Sequence, residues 1–430
     1  MQEESEHQGH MREALALAAR ARGRTSPNPM VGAVLVKDGQ VVGRGLHPRA
    51  GQPHAEVFAL REAGQRARGA TLYVTLEPCC HHGRTPPCAP AVVEAGVGRV
   101  FAAMEDPNPL VAGQGLRALR ASGIETRVGL LEDEARQLNE AYVKRIATGR
   151  PFVEVKVAMT LDGKTATSSG RSRWITGEAA REWVHRRRDA ADAVLVGAGT
   201  VRADDPALTV RLPDHDGRQP LRVVVSASGR LDPRAQVFHG PPPGTVVFCA
   251  TDDGTGNRQQ ATGNREQATG YGQQATGNGQ QATGNGGLFA ADVAVRPRLG
   301  AHLGVGRSSG AARRAGLKPA PTEMGTGVEL VSLPGSDGGV DLPQMLRWLA
   351  KRGINDVLVE GGAKLNAALL RAGLVDRLSV FVAPKLFGGA EAPGGFGELG
   401  VEDPALALQL QHVEVTQVGV DWLFRGGFGK

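Results

Sequence analysis

Strand-like and helix-like stretches alternate along almost the whole of this 430-residue chain. Residues 10–22 place apolar side chains at helical spacing, and residues 31–45 form a hairpin pattern about the turn Asp38-Gly39. Helix and strand patterns then follow one another, ending with a single helix near residues 131–148. Alternation on this scale predicts sheets with helices layered on their faces, so the expected fold class is α/β.

The alternation restarts at Pro151, where a new strand, PFVEVKVAMT, begins. At roughly 150 residues per domain, the length suits two or three domains. We therefore expect one domain over residues 1–150 and a second over residues 151–430.

A low-complexity segment interrupts the second domain. From Asn257 the chain reads NRQQATG, NREQATG, YGQQATG and NGQQATG, which are four tandem copies of seven residues. No copy has an aliphatic residue larger than alanine, which excludes a coiled coil. Gly, Gln, Asn and Thr cannot bury enough surface to offset chain entropy, so residues 255–323 are expected to form a disordered insertion.

Composition limits the classes of partner. No apolar run approaches the ~18 residues of a membrane span, and the polar N-terminus does not resemble a secretory signal. The net charge of +6 suits either nucleic acid or a phosphorylated small molecule. Aromatic residues make up only 4% of the chain, too few for base-stacking platforms. We therefore expect a small phosphorylated substrate, no nucleic acid and no membrane; a homo-oligomer is left open.

Three of the four cysteines lie between Cys79 and Cys88, which indicates metal or catalytic chemistry in a reducing cytoplasm. Upstream, His54 and Glu56 form the sequence HAE, and Cys79 follows Pro78 in EPC. His54, Cys79 and Cys88 would give zinc three protein ligands and leave the fourth position to water. Zinc would lower the pKa of that water, and Glu56 would act as general base and then general acid toward a leaving amine.

One ligand remains open. Cys80 adjoins Cys79 and could replace it; Cys79 is favoured because it directly follows Pro78, as in the H-x-E … P-C signature of zinc-dependent base deaminases. That signature usually continues as P-C-x-x-C, whereas eight residues separate Cys79 from Cys88 here.

The segments TSPNPMVGAVLV, HAEV and TLEPCCHHGRTPPC together resemble the deaminase domain of the bifunctional riboflavin-biosynthesis deaminase–reductases, including their long cysteine loop. The resemblance implies an N-terminal three-layer cytidine-deaminase-like domain. It implies that the ring 2-amino group of 2,5-diamino-6-ribosylamino-4(3H)-pyrimidinone 5′-phosphate leaves as ammonia. It also implies that Asn28 helps to hold the pyrimidine ring.

The second half resembles the reductase of the same family in the stretches KVAMTLDGKTATSSGRSRWIT, VLVGAGTVRADDPALTVR, DVLVEGGAKLNAALL and VDRLSVFVAPKLFGG. The stretch GAGTVRA lacks the third glycine of a Rossmann fingerprint. The resemblance instead implies a dihydrofolate-reductase-like α/β domain that uses NADPH to reduce the ribosyl group, giving 5-amino-6-ribitylamino-uracil 5′-phosphate.

The same resemblance implies the contacts of the reductase site. The residues expected at the cofactor are Ala158, Trp174, Thr200, Asp204, Gly362, Ala363, Lys364, Leu365, Asn366, Ala367 and Ala368. Those expected at the substrate are Ser172, Arg188, Leu208, Arg211 and Glu360. Their chemistry is suitable, because a glycine pair before a helix accommodates a pyrophosphate and the arginine fork binds two phosphate oxygens at once.

Three alternatives stay open on sequence alone. The chain could be a zinc deaminase whose reductase half is inactivated by the insertion. It could be a nucleoside or nucleic-acid deaminase with an unrelated second domain, or a zinc-binding interaction protein, which would need a fourth protein ligand.

Overall fold

The computed structural model describes residues 2–81, 85–109, 111–213, 215–251, 327–336 and 339–428. Within them the chain forms one sheet of five strands and one of ten. The expected insertion, residues 255–323, lies outside the described residues. Among the described helices, none combines the length and the apolar character needed to cross a membrane.

The first sheet has the order β2-β1-β3-β4-β5, with β1 antiparallel to both β2 and β3, and with β3, β4 and β5 parallel. Its elements are α1 (Gln2–Ala19), β1 (Gly32–Lys37), β2 (Gln40–Leu46), α2 (Ala55–Ala63), β3 (Thr71–Val74), α3 (Cys88–Glu94), β4 (Arg99–Ala102), α4 (Gln114–Ala121), β5 (Glu125–Val128), α5 (Glu132–Leu138) and α6 (Glu140–Thr148).

The hairpin predicted at Asp38-Gly39 is confirmed: both residues have positive φ, 49° and 74°, as a two-residue hairpin turn requires. The single helix predicted near residues 131–148 is wrong, because α5 and α6 are separate helices that meet at Asn139. The Asn139 carboxamide accepts from Met30 N at 2.8 Å and donates to Met30 O at 2.9 Å. This long-range pairing holds the helix break, and the local pattern contained no sign of it.

Glycines on the first sheet allow α2 to pack against it at very short range. A Cβ atom on Gly45 would lie 2.0 Å from Ala55 O, and one on Gly43 would lie 2.2 Å from Ala59 O. Only glycine fits such backbone contacts. The first turn of α2 is therefore held directly on strand β2.

The second sheet has the order β11-β10-β9-β8-β7-β12-β6-β13-β15-β14. Strands β6 to β10, β12 and β13 run parallel, and β11, β14 and β15 extend the edges antiparallel. Its elements are β6 (Phe152–Thr160), α7 (Glu178–Ala190), β7 (Ala193–Gly197), α8 (Ala198–Asp204), β8 (Leu221–Val225), β9 (Thr245–Thr251), β10 (Val328–Ser336), β11 (Gly339–Val340), α9 (Leu342–Lys351), β12 (Asp356–Val359), α10 (Ala363–Arg371), β13 (Arg377–Ala383), β14 (Leu410–Val418) and β15 (Asp421–Phe428).

The strands that flank the insertion are neighbours in this sheet. Strand β9 pairs with β10 in parallel, from Thr245 opposite Val328 to Thr251 opposite Pro334. The insertion therefore displaces neither flanking strand, which removes the structural basis for a reductase half disrupted by it.

Arg222 on β8 is a charged side chain that is only 1% exposed. Its guanidinium donates to Val237 O at 2.9 Å, Pro241 O at 2.8 Å, Gly240 O at 3.2 Å and Thr245 Oγ1 at 3.0 Å. All four acceptors belong to neutral groups, so the fork geometry of arginine secures the 237–245 connection.

We predict that Arg222→Met lowers the free energy of unfolding by about 2–4 kcal/mol, because it leaves several buried oxygens without donors. Arg222→Lys should recover only part of this loss, since one ammonium cannot reach all four acceptors. Denaturant unfolding followed through the second domain measures the change, with Arg234→Met at a largely exposed side chain as the matched control. Equal effects of the two methionine variants would contradict the role given to Arg222.

A second prediction concerns the insertion. Replacing residues 255–320 with a Gly/Ser linker of about eight residues should leave deamination and reduction nearly unchanged. Together with the retained flanking residues, this linker exceeds the dozen residues that a parallel connection needs, and loop length itself costs little free energy. Steady-state assays of both reactions provide the measurement; loss of reduction alone would show that the segment contributes to the reductase site.

Candidate active sites

The first site lies where the starts of two helices meet the loop after β3. His54 is the N-cap of α2, and Cys88 is the first residue of α3. His54 Nδ1 is 3.1 Å from Cys88 Sγ and 3.5 Å from Cys79 Sγ. One ligand atom from each of the three residues lies within 4.8 Å of the others. The structure therefore brings the three predicted ligands together.

This geometry fits zinc. Tetrahedral Zn–N and Zn–S bonds of ~2.0–2.3 Å place neighbouring ligand atoms about 3.5–3.8 Å apart. The observed 3.1 and 3.5 Å separations are close to that spacing. His54 presents Nδ1 to the thiols, and its Nε2 lies 3.2 Å from Thr85 Oγ1, so a second contact orients the imidazole.

Glu56 lies in the first turn of α2, beside the ligand group, and is 3% exposed. Its Oε2 has no hydrogen-bond partner among the described atoms. Burial raises the pKa of Glu56 to about 7. A buried carboxyl oxygen without a hydrogen-bond partner among the described atoms, next to a candidate metal centre, is suited to exchanging a proton with a bound molecule.

The two thiols that approach His54 interact with each other. A hydrogen bond between Cys88 and Cys79 lowers the pKa of Cys79 and raises that of Cys88. The Cys88 backbone N also donates to Cys79 Sγ at 3.3 Å. Cys80 faces a different neighbour, with its Sγ 3.8 Å from Gln114 Oε1. The preference for Cys79, which the sequence analysis based on Pro78, therefore has geometric support.

The loop that carries Cys79 is anchored by the buried carboxylate of Glu77. Its Oε1 accepts from the backbone N of Gly115 at 2.8 Å and Leu116 at 3.2 Å, and Oε2 accepts from Asp106 N at 3.2 Å and Gly113 N at 2.8 Å. The carboxylate therefore joins the metal loop to the start of α4.

Asn28, the expected pyrimidine contact, is oriented by a histidine that the sequence analysis missed. Asn28 Nδ2 lies 3.1 Å from His47 Nε2, and His47 Nδ1 lies 3.1 Å from Pro53 O. Burial lowers the pKa of His47, so the neutral ring donates to Pro53 O and accepts from Asn28. Asn28 Oδ1 is then left to accept from another group. A histidine directly after β2, seven residues before His54, was the available signal.

The second site lies at the carboxyl ends of the central strands β7, β12 and β6, where parallel sheets place ligands. Glu360 directly follows β12. Arg188 on α7 donates to its Oε1 at 2.5 Å and to its Oε2 at 2.9 Å. Burial alone would raise the pKa of Glu360, but the Arg188 guanidinium holds it below its usual value. Arg188 also donates to Thr209 O at 3.0 Å, next to the predicted substrate contact Leu208.

Two further titratable side chains in this pocket were missed. Lys156 lies on β6; burial lowers its pKa, and nearby Glu360 opposes that shift. His185 on α7 lies beside Arg211, with 3.4 Å between His185 Nε2 and Arg211 Nη2. Burial and the charges of Arg188 and Arg211 lower the pKa of His185 to about 4. A lysine within the apolar β6 pattern was the signal for the first of these.

Part of the predicted cofactor set meets at the turn between β12 and α10. A Cβ on Gly362 would lie 3.4 Å from Thr200 Oγ1, which brings α8 beside this turn. Asn366 is 1% exposed, and its Oδ1 has no hydrogen-bond partner among the described atoms. An exposed glycine at the start of α10 fits a dinucleotide phosphate, because the backbone N–H groups of a helix N-terminus favour an anion.

The remaining predicted residues occupy different surroundings. Ser172 Oγ donates to Asp204 Oδ1 at 3.1 Å, which joins the loop before α7 to the end of α8. Trp174 is 62% exposed, and the Arg181 guanidinium lies 4.7 Å from its ring centroid. Ala158 is half-buried on β6. Along α10, Gly362 and Lys364 are exposed, Ala363, Leu365 and Ala368 are half-buried, and Ala367 is buried.

Comparison with known proteins agrees with this two-site arrangement. Residues 4–104 match the cytidine and deoxycytidylate deaminase zinc-binding region, and residues 151–264 and 314–424 match the RibD C-terminal domain. The riboflavin biosynthesis protein RibD of Escherichia coli is 40% identical over 423 residues, covering 96% of each chain. That of Bacillus amyloliquefaciens is 38% identical over 412 residues, covering 96% of this chain and 94% of the relative.

Solved structures agree over the same length. Acinetobacter baumannii RibD has a TM-score of 0.77 at 37% identity, covering 99% of this chain and 100% of that one. A diaminohydroxyphosphoribosylaminopyrimidine deaminase/5-amino-6-(5-phosphoribosylamino)uracil reductase from Thermotoga maritima has a TM-score of 0.74 at 32% identity, with the same coverage. The chain belongs to the RibD family of bifunctional deaminase–reductases of riboflavin biosynthesis.

Proposed function

We propose that residues 1–150 catalyse zinc-dependent deamination of 2,5-diamino-6-ribosylamino-4(3H)-pyrimidinone 5′-phosphate, and that residues 151–430 reduce the ribosyl group of the product with NADPH. The observation that carries the proposal is the meeting of His54, Cys79 and Cys88 beside Glu56, whose buried Oε2 has no hydrogen-bond partner among the described atoms. A coupled assay that follows ammonia release and NADPH absorbance together tests both halves.

In the first site, His54, Cys79 and Cys88 would hold the zinc ion. When bound, zinc supplies Lewis acidity that makes water a better nucleophile near neutral pH. Glu56 takes a proton from the attacking water and delivers it to the 2-amino nitrogen, so that the C–N bond breaks and ammonia leaves. Asn28 Oδ1, left available by the contact with His47, accepts a hydrogen bond from the pyrimidine.

In the second site, NADPH supplies the reducing equivalents. The turn at Gly362 and Thr200 would hold its phosphates, and Ala158, Trp174 and Asp204 are the other residues outside α10 that we propose contact it. Arg188 and Glu360 form a buried pair that orients the ribose end of the substrate. Arg211 is charged and has no carboxylate partner among the described residues, so it is suited to the 5′-phosphate.

Two open alternatives lose support. A zinc-binding protein without activity would need a fourth ligand, and the described candidate group at this site contains three residues. A reductase half disrupted by the insertion is disfavoured by the pairing of β9 with β10. A reducing, cytoplasmic location remains a proposal, supported by four cysteines that are all free thiols.

We predict that Glu56→Gln retains about one zinc per chain but abolishes deamination, because the ligands remain and the group that moves the proton is lost. Reduction of the already deaminated intermediate should continue. Metal analysis and ammonia release are the measurements, with Glu62→Gln on the exposed side of α2 as the matched control. If Glu56→Gln loses its metal, Glu56 has a different role.

The adjacent cysteines provide a further control for that experiment. Cys79→Ser should lose both zinc and deamination, whereas Cys80→Ser should lose neither, because Cys80 faces Gln114. The reverse result would exchange the assignments of the two cysteines.

We also predict that Arg211→Ala raises the reductase KM for the phosphorylated intermediate and leaves the KM for NADPH nearly unchanged. Losing a charge-assisted contact costs about 1.5–3 kcal/mol, or roughly 10- to 150-fold in affinity. Arg211→Lys should restore part of the loss, and deamination should not change. Steady-state kinetics provide the measurement, with exposed Arg230→Ala as control; an effect on NADPH alone would move Arg211 to the cofactor side.

A further inference from the structure

The segment that carries Asn28 lies between the two domains and is bonded to both. We call residues 25–30 the Asn28 loop. Ser26 Oγ donates to Asp192 Oδ2 at 2.8 Å and accepts from Asn355 Nδ2 at 3.0 Å. Asp192 directly precedes β7 and Asn355 directly precedes β12, so both belong to the second sheet. A polar loop of the deaminase half is therefore hydrogen-bonded to the reductase half.

Asp192 is held in place by its own domain. It is 6% exposed, and Oδ2 also accepts from the backbone N of Asn355 at 2.8 Å and of Asp356 at 3.1 Å. The Arg218 guanidinium lies 3.1 Å from Oδ1. Because these contacts come from the second domain, the position of Asp192 is set independently of the Asn28 loop, and it is Ser26 that adapts to it.

The loop is also held on its other sides. Arg145 of α6 donates to Pro27 O at 3.0 Å and also to Asn355 Oδ1. Just before the loop, Arg24 donates to Asp189 at 3.0 Å and to Asp216 at 2.7 Å, both in the second domain. His215 adjoins the same two carboxylates in an arrangement that resembles a metal site, but the Arg24 guanidinium already supplies the positive charge there. Arg24, Asp189 and Asp216 therefore form an ion-pair contact between the two domains.

A hydrogen bond within the Asn28 loop connects the contacts of Ser26 to the deaminase site. Asn28 N donates to Thr25 O at 2.8 Å, which closes a tight turn around Ser26 and Pro27. At the other end of the turn, the Asn28 carboxamide meets His47. A shift of Ser26 away from Asp192 would therefore move the Asn28 side chain.

We propose that the reductase domain is a positioning element of the deaminase site: Asp192 and Asn355 hold Ser26, and the turn thereby places Asn28 against the pyrimidine. This inference rests on the role proposed above for Asn28. Ser26, Asp192 and Asn355 are positioning residues that do not contact the substrate. Deamination in the first domain therefore depends on a contact with the second domain. That contact lies outside the reductase pocket.

The test uses the full-length zinc-loaded chain and the variant Ser26→Ala. The deaminase KM for the diaminopyrimidine should rise by about tenfold or more, since small misplacements of positioning groups have effects of that size or larger. Zinc content and the kinetics of reduction should not change. Ser26→Thr retains the hydroxyl and should restore the KM, and Ser122→Ala, at an exposed serine in the same domain, is the matched control.

Asn28→Ala separates failure of the inference from failure of the proposed function. If Asn28→Ala impairs deamination but Ser26→Ala does not, the inference is overturned and the role of Asn28 stands. If neither variant changes the deaminase KM, the assignment of Asn28 is wrong and the inference falls with it. If Ser26→Ala instead loses zinc, or if Ser26→Thr does not restore the KM, the contact supports the fold of the metal site rather than the placement of Asn28, which also overturns the inference.

Discussion

A carboxylate removed from water must be surrounded by hydrogen-bond donors or by a positive charge. Three buried carboxylates satisfy that requirement with groups distant in sequence, and each organises a part of the chain that carries chemistry. Glu77 collects four backbone N–H groups beside the metal loop. Asp192 collects Ser26 and two backbone N–H groups at the domain junction. Glu360 takes both arms of the Arg188 guanidinium.

The two sites are built on different parts of their sheets. In the first domain, α2 and α3 begin at the metal group, and close packing through Gly43 and Gly45 fixes α2 on the sheet. In the second domain, the functional groups follow the carboxyl ends of parallel strands. Two helix starts and the loop after β3 bring two thiols and an imidazole into one compact group, whereas the ends of parallel strands place charged side chains and a glycine turn along one edge of the sheet, which suits a dinucleotide beside a sugar phosphate.

The long connection between β9 and β10 is consistent with an intact second domain. The two strands pair in register over seven residues on either side of that connection, and the central strands β7, β12 and β6 lie further along the sheet. Since the free-energy cost of a loop rises only slowly with its length, a connection at this place adds little strain to the reductase pocket.

The sequence by itself determined the α/β class, the hairpin at Asp38-Gly39 and the association of His54, Cys79 and Cys88 with Glu56, because these depend on local periodicity, turn chemistry and motif spacing. It did not determine the helix break at Asn139 or the surroundings of Cys80. It also did not indicate the contact between Ser26 and Asp192, which are 166 residues apart, and it could not show that Arg188 would meet Glu360, 172 residues away. Those outcomes depend on the order of strands in the second sheet and on how the two domains meet. Only the tertiary structure decides them, because a buried polar group takes its partner from whatever the fold brings within hydrogen-bonding distance.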